Sequence, residues 1–160
     1  MMSVGGIIKK TMSDVKTHVI QGAAAAVVLY PFFGGDALLV GVSMVAIDVD
    51  HAIEYYHATR KLTLSGIYQL RDLGLAHLDE VIGLNIFHTL ESHFVLFLLA
   101  KLVSPKFGFV LAGFALHHVF DQIYLARLGY PFARALSIVE YFVRYRHRTT
   151  MKQLANRNSL

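Results

Sequence analysis

The sequence predicts an all-α integral membrane protein, a bundle of about four transmembrane helices followed by an amphipathic helix at the membrane interface. Two observations predict this class. The 160 residues are 55% hydrophobic and only 16% charged, whereas soluble domains are about a quarter charged. The apolar residues also form runs approaching the ~20 residues that a helix needs to cross a bilayer. The length allows one domain.

The first half of the chain contains two predicted helices. Residues 1–14 are expected to form a short N-terminal segment. The first helix is predicted over 15–33 and ends where glycines follow at Gly34. The second is predicted from Asp36 to about residue 57. It is almost wholly apolar up to Ile47 and polar afterwards.

The second half of the chain contributes two more predicted spans. Residues 58–80 form a polar connection, with a short amphipathic helix expected near 65–73. The third helix is predicted over 81–103 and ends before Pro105, because proline disfavours a helical residue before it. The fourth is predicted over 107–126.

Three regions complete the expected organisation. Residues 15–132 form the transmembrane metal-binding domain. Residues 133–148 form an amphipathic, arginine-rich helix that lies on the membrane rather than spanning it. Residues 149–160 are expected to be a flexible tail.

The basic residues predict the orientation. With both termini in the cytoplasm, only Lys101 and Lys106 of the 15 Lys and Arg residues lie outside, and 13 lie inside. This satisfies the positive-inside rule for a cell or inner membrane. The net charge of +4 comes without a basic stripe interleaved with aromatics, so nucleic-acid binding is excluded and lipid headgroups are the expected contacts.

Eight potential metal ligands lie in or next to the apolar segments. Ionisable groups are costly in hydrocarbon and persist there when they bind something or pair with each other. Cysteine is absent, so thiolate sites are excluded and histidine and carboxylate ligands remain. The candidates are His18, Asp48, Asp50, His51, His88, His93, His117 and Asp121.

The spacing of these residues favours shared sites. His117 and Asp121 are four residues apart and share a helix face. His88 and His93 are five apart and diverge by about 140° on a regular helix, so both would serve only in a wide or multinuclear site or on an irregular helix. The other histidines, His57, His77, His118 and His147, are expected at the surface or, for His118, beside the site or at lipid headgroups.

The depth of the candidates predicts one level in the membrane. Counting ~1.5 Å per residue from the outer turns places His93 and His117 ~15 Å deep, Asp48 ~18 Å and His18 ~22 Å deep. All four then fall in the cytoplasmic half of a core ~30 Å thick.

The ligand types predict a hydrolytic metal centre. Neutral imidazole suits zinc, and the carboxylates leave manganese or iron as alternatives, at one to three divalent ions per chain. A divalent ion with an open position lowers the pKa of a bound water towards ~7. Asp50, with Asp48, is the expected catalytic carboxylate. The buried location favours a lipid or lipid-linked ester as substrate.

Other functions remain open at this stage. One is a non-catalytic metal-binding scaffold, assembly partner or ion transporter. A second is a di-metal membrane oxygenase or desaturase. A third is a proton relay through the same groups. Each single histidine could also be a hydrogen-bonded interior residue. A homo-oligomer is compatible with all of them.

Short motifs in order resemble a known family. The pattern Thr-His with a following glycine, Asp-x-Asp-His, two histidines five apart, Gly-x-x-x-His-x-x-x-Asp and Gly-x-Pro is similar to that of the membrane-bound metal-dependent hydrolases, the LexA-regulated, YdjM-like inner-membrane proteins. The matching residues are Thr17, His18, Gly22, Asp48, Asp50, His51, His88, His93, Gly113, His117, Asp121, Gly129 and Pro131. The resemblance implies a metal site and a hydrolase. Ile47 and Thr89 replace the proline and arginine of the family pattern.

Overall fold

The computed structural model describes residues 15–160. The expected N-terminal segment 1–14 lies outside the described residues. The described chain is mainly helical, as predicted. Its helices are α1 (Val15–Phe33), α2 (Ala37–Ala46), α3 (Val49–Thr59), α4 (Leu64–Ala76), α5 (Leu90–Leu102), α6 (Lys106–Arg127), α7 (Ile138–Tyr145) and α8 (Met151–Arg157). Two short strands are β1 (Val81–Ile82) and β2 (Thr149–Thr150).

The chain divides into two compact units. Unit 1 comprises the described residues up to Ile47 together with Ser92–Tyr124. Unit 2 comprises Asp48–Glu91 and Leu125–Leu160. Unit 1 therefore contains α1, α2 and most of α5 and α6, whereas unit 2 contains α3, α4, α7, α8 and both strands.

In unit 1, α1 and α2 form a closely packed hairpin. A Cβ atom on Gly22 would lie 2.5 Å from the carbonyl oxygen of Gly41, and one on Gly41 would lie 2.6 Å from the carbonyl oxygen of Gly22. Glycine is thus required at both positions, because any side chain would push the two backbones apart. The helices are joined by a 3₁₀ turn, Gly34–Asp36, in which Gly34 has a φ of +56°.

A third glycine brings α6 against α2. A Cβ atom on Gly113 would lie 2.5 Å from the carbonyl oxygen of Val40 and would overlap the Oγ of Ser43. Val40, Met44 and Ile47 are fully buried. This close approach fixes the position of the α6 backbone against α2, one turn before His117.

Unit 2 is built around a small apolar core from α3, α4 and α8. Tyr55, Ala58, Leu70 and Ala155 form this cluster. Strand β1 pairs in parallel with β2, with Val81 opposite Thr149. The expected flexible tail, 149–160, is thus an ordered part of unit 2, because its apolar residues are buried in this core.

Predicted and observed helices differ at three places. The amphipathic helix, predicted over 133–148, is the shorter α7 (Ile138–Tyr145). The first and fourth helices, predicted over 15–33 and 107–126, are confirmed within one residue. The second is interrupted by a turn at Ile47 and Asp48, so that α2 and α3 are separate helices. The third, predicted over 81–103, begins only at Leu90, because the residues before it form β1 and a 3₁₀ turn, Ile86–His88.

Two helical stretches are long and apolar enough to cross a membrane, by length and composition. They are Lys16–Thr59, which includes the α1–α2 hairpin, and Lys106–Arg127. Helix α5 has 13 residues and covers about 20 Å, less than the ~30 Å hydrocarbon core. The expected count of four transmembrane helices is therefore not confirmed.

Candidate metal centre

Unit 1 brings two histidines and an aspartate together. The Nε2 of His18 lies 3.9 Å from Oδ1 of Asp121, and the Nε2 of His117 lies 3.4 Å from Oδ2 of the same carboxylate. The two imidazole rings have centroids 4.3 Å apart. All three residues are buried. We call His18, His117 and Asp121 the unit 1 cluster.

The tautomer of His117 is set by the backbone of α2. Its Nδ1 lies 2.7 Å from the carbonyl oxygen of Met44. A carbonyl can only accept, so Nδ1 carries the proton, and in the neutral ring Nε2, the nitrogen facing Asp121, carries the lone pair. Met44 lies in the last turn of α2, where carbonyl groups lack intrahelical donors. Metal-binding histidines are commonly oriented by this type of contact to a backbone carbonyl.

The local sequence explains how His117 reaches this position. His117 and Asp121 are four residues apart on α6 and therefore share its buried face. Gly113, one turn earlier on the same face, allows the α6 backbone to approach α2. His117 is completely buried, and its hydrogen bond to Met44 depends on this approach.

The predicted ligand His93 lies in different surroundings. Its ring is half-buried and packs edge-on against the rings of His118, at 5.5 Å, and Phe114, at 6.3 Å. His118 in turn lies 3.4 Å from the amide nitrogen of Gln122. Within residues 15–160, His93 belongs to no group of three closely spaced ligand atoms. Its assignment as a ligand stays a prediction.

Unit 2 contains a second set of predicted ligands, centred on Asp50 and His88. Both are buried. The Oδ2 of Asp50 accepts hydrogen bonds from the backbone N–H of Phe87, at 2.6 Å, and from Nδ1 of His88, at 3.1 Å. Asp50 thus holds the 3₁₀ turn and fixes the His88 ring with its Nε2 on the opposite side.

Asp48 and His51 lie in the same unit. The Nε2 of His51 is 3.7 Å from Oδ1 of Asp48, and the two residues are three apart in the sequence. The His51 and His88 rings have centroids 6.1 Å apart. We call Asp48, Asp50, His51 and His88 the unit 2 cluster. His88 lies in the 3₁₀ turn and His93 in α5, so the two do not share a regular helix.

The residues present fit a metal ion. Buried histidine and aspartate side chains of this chain could hold one. In both clusters a ring Nδ1 is occupied by a carbonyl or carboxylate, and this leaves Nε2 as the coordinating nitrogen. Such nitrogen and oxygen donors suit zinc, manganese and iron. The number and identity of the ions stay predictions, as does the convergence of all eight residues on one site.

Sequence reasoning missed two contributors. The carbonyl of Met44 orients His117, and a backbone acceptor has no sequence signature. Arg134 carries a positive charge that acts on Asp50 and Glu54; a lone arginine in the stretch after Pro131 was the available signal.

Glu91, which the sequence leaves open as a ligand, a base or a solvent-facing acid, has a structural role. Its Oε1 accepts a hydrogen bond from the backbone N–H of Ile138, at 3.0 Å, at the start of α7. Hydrogen bonds from its own backbone N–H and from Ile138 hold the pKa of Glu91 below its usual value. Among the other histidines, His57 and His147 are exposed, as expected, whereas His77 is half-buried against the carbonyl oxygen of Leu73.

Comparison with known proteins adds no relative. The chain matches no family model, no curated protein and no solved structure. The resemblance to the membrane-bound metal-dependent hydrolases therefore remains a prediction based on the short motifs alone.

Proposed function

We propose that this chain is a membrane-embedded, metal-dependent hydrolase that acts on a lipid or lipid-linked ester at the cytoplasmic side. The observation that carries the proposal is the orientation of His117. It is fully buried, its Nδ1–H is committed to the Met44 carbonyl, and its Nε2 faces Asp121. An imidazole held in this way presents one ring nitrogen next to a carboxylate oxygen, and these are donor types that a divalent ion binds.

The unit 1 cluster would hold the ion through His18, His117 and Asp121. Three protein ligands are typical of catalytic zinc sites, which keep a further position for water or substrate. When bound, a divalent ion supplies Lewis acidity and lowers the pKa of a bound water.

The unit 2 cluster would form a second candidate site within its own unit, for coordination or for proton transfer. Asp50 fixes the ring of His88 through Nδ1, which keeps His88 Nε2 in one orientation and ready to coordinate or accept a proton. Asp48 and His51, which flank Asp50 closely in the sequence, form a further pair of a carboxylate and an imidazole. We therefore retain Asp50 and Asp48 as the catalytic carboxylates, with Asp50 acting through Oδ1, because its Oδ2 is engaged by Phe87 and His88.

The exposed side chains of unit 1 support a membrane location. Val27, Phe32, Phe94 and Leu102 are 60% or more exposed. Large apolar side chains exposed to this extent are more typical of a surface that faces lipid or a partner than of one that faces water. Together with the two candidate spans, this surface favours a lipid environment, with both termini in the cytoplasm as the charge distribution predicts.

The test is the metal content of the full chain purified in detergent, measured by mass spectrometry. We expect at least one equivalent of zinc, manganese or iron in the wild type. Asp121→Asn keeps the shape of the side chain and removes its charge, so it should lower the metal content severalfold without unfolding the protein. His147→Ala removes an exposed histidine and is the matched control, expected to keep full content.

Activity assays then separate the functions. Metal-dependent release of phosphate or alcohol from lipid esters, lost in Asp121→Asn, supports the hydrolase. Bound iron with oxygen-dependent turnover would instead indicate an oxygenase, and stable metal without turnover would indicate a scaffold. A folded, metal-free protein that cannot be reloaded would refute the proposal.

A further inference from the structure

Unit 2 contains a cavity of about 430 Å³. It lies among α3, β1, α7 and α8, so every lining residue belongs to one unit. Its volume is within the range of small-molecule sites. The charged residues that line it are two carboxylates, Asp50 and Glu54, and two cations, Arg60 and Lys152.

The two carboxylates are compensated by neighbouring groups. The Oδ2 of Asp50 accepts two hydrogen bonds, from Phe87 and His88. The positive charge of Arg134 acts on both Asp50 and Glu54. The cavity therefore attracts cations less than its two acids would suggest.

The two cations lack such compensation. Arg60 and Lys152 are exposed, and within residues 15–160 neither forms an ion pair with a carboxylate. The guanidinium of Arg60 lies over the ring of Tyr56, with Cζ 5.7 Å from the centroid. Both cations thus line the cavity and are accessible to solvent.

The backbone of Arg60 adds a second indication. Arg60 ends α3 in a left-handed conformation, with φ 59° and ψ 19°. Glycine is the usual residue there, because it adopts this conformation without steric cost. A strained non-glycine residue at a cavity is a sign that its side chain has a function.

Helix α7 connects the cavity to an apolar surface. Tyr141 and Tyr145 line the cavity. Val139, Phe142 and Val143 lie on the same helix and are each more than 60% exposed. An exposed apolar stripe with flanking arginines is typical of a helix at the lipid headgroup level.

We propose that this cavity binds the phosphate group of a phosphate ester, with Arg60 and Lys152 as its counter-charges. The inference deepens the proposed function and rests on it for the reaction that follows binding. Arginine and lysine are the usual partners of phosphate oxygens. The ester would extend from this end towards Asp50 and along the tyrosine wall.

The test is isothermal titration calorimetry on the full chain in detergent with two probes. Glycerol 3-phosphate represents a soluble phosphate ester, and dihexanoyl phosphatidic acid represents a lipid headgroup. The variant is Arg60→Gly combined with Lys152→Gln. Glycine suits the left-handed backbone, so this variant removes both cations without straining α3. The matched control, Lys61→Gln with Arg157→Gln, removes two exposed cations of unit 2 that do not line the cavity.

We expect the Arg60/Lys152 variant to bind both probes at least tenfold more weakly and the control to stay within twofold of the wild type. Tighter binding of the lipid probe than of glycerol 3-phosphate assigns the site to a headgroup, and equal affinity assigns it to soluble phosphate esters. Unchanged binding by the Arg60/Lys152 variant, or no binding by the wild type, overturns the inference.

Metal content measured on the same samples separates this inference from the proposed function. Arg60- and Lys152-dependent binding in a metal-free chain would support the phosphate site and refute the hydrolase. A metal-loaded chain whose phosphate binding is the same in the wild type and in the Arg60/Lys152 variant would support the hydrolase and refute the phosphate site.

Discussion

Asp50 and His88 are joined by a hydrogen bond of 3.1 Å between Oδ2 and Nδ1, across 38 residues of sequence. The same oxygen accepts the backbone N–H of Phe87 at 2.6 Å. The Asp50 carboxylate therefore holds the 3₁₀ turn that precedes α5. It also orients His88, a candidate metal ligand. Replacing Asp50 removes its structural and its chemical role together. The structural role can still be measured separately, by following the stability of the turn itself.

Replacing Asp50 with alanine should loosen the turn that contains His88. The N–H of Phe87 and the Nδ1–H of His88 would lose Asp50 as an acceptor, at a cost of about 1–3 kcal/mol for a buried group such as His88. We expect faster amide hydrogen exchange in peptides covering residues 83–89, measured by mass spectrometry. Asp72→Ala, which removes an exposed carboxylate of the same unit, is the control. Unaltered exchange at 83–89 in Asp50→Ala would show that other contacts hold the turn.

Replacing Gly113 with alanine should separate α6 from α2. The new methyl would meet Ser43 and the Val40 carbonyl, and overpacking of this kind costs about 1–3 kcal/mol. We expect a lower unfolding temperature and, because the His117–Met44 hydrogen bond depends on the same contact, weaker metal retention.

The same helix offers a control for this change. A Cβ atom on Gly108 would lie 3.8 Å from the Cβ of Ala100, an ordinary contact. Gly108→Ala should therefore be neutral or stabilising by about 0.5–1 kcal/mol. Equal unfolding temperatures for the two alanine variants would contradict the close approach at Gly113.

Replacing Thr150 with alanine should destabilise the C-terminal helix. Thr150 caps α8 through a capping box with Gln153, and loss of such a cap costs about 1 kcal/mol. Because Leu154 and Ala155 are buried in unit 2, thermal unfolding of the full chain should shift to lower temperature. Asn156→Ala, an exposed change on the same helix, should leave the transition in place. A Thr150→Ala protein as stable as the wild type would favour the flexible tail that the sequence suggested.

The membrane orientation can be tested with single cysteines, because the chain has none. Gly35→Cys places a thiol in the exposed turn between α1 and α2, where an added side chain meets no neighbour within 4 Å. Lys61→Cys places one in the polar connection after α3. A membrane-impermeant maleimide should label Gly35→Cys from the outer side and Lys61→Cys from the cytoplasmic side only. Labelling of both from one side would contradict the orientation predicted by the basic residues.

Local patterns predicted those parts of the fold that depend on neighbouring residues. The apolar runs gave the limits of α1 and α6, and the four-residue spacing placed His117 and Asp121 on one face. These features need only a helical period and an apolar environment.

Features that depend on distant contacts escaped prediction. The apolar composition of 81–103 predicts one helix. In the structure the N–H of Phe87 instead donates to Asp50, and residues 86–88 form a 3₁₀ turn. Arg60 falls in the predicted polar connection 58–80, and its place in the cavity wall depends on the distant residues of β1, α7 and α8 that line the same cavity. The Met44 carbonyl could not be predicted as a partner of His117, because every residue has one.

The division of unit 2 into two sequence segments has a consequence for biosynthesis. A ribosome releases Asp48–Glu91, with its buried cluster and β1, before it has made the residues that complete the unit. During that interval Tyr55 and Leu70 lack Ala155, and Val81 lacks its partner Thr149. The nascent chain must therefore carry an unfinished unit 2 while α6 is still being synthesised. Translation that stops before α8 would leave this half-domain exposed, as a substrate for chaperones and proteases.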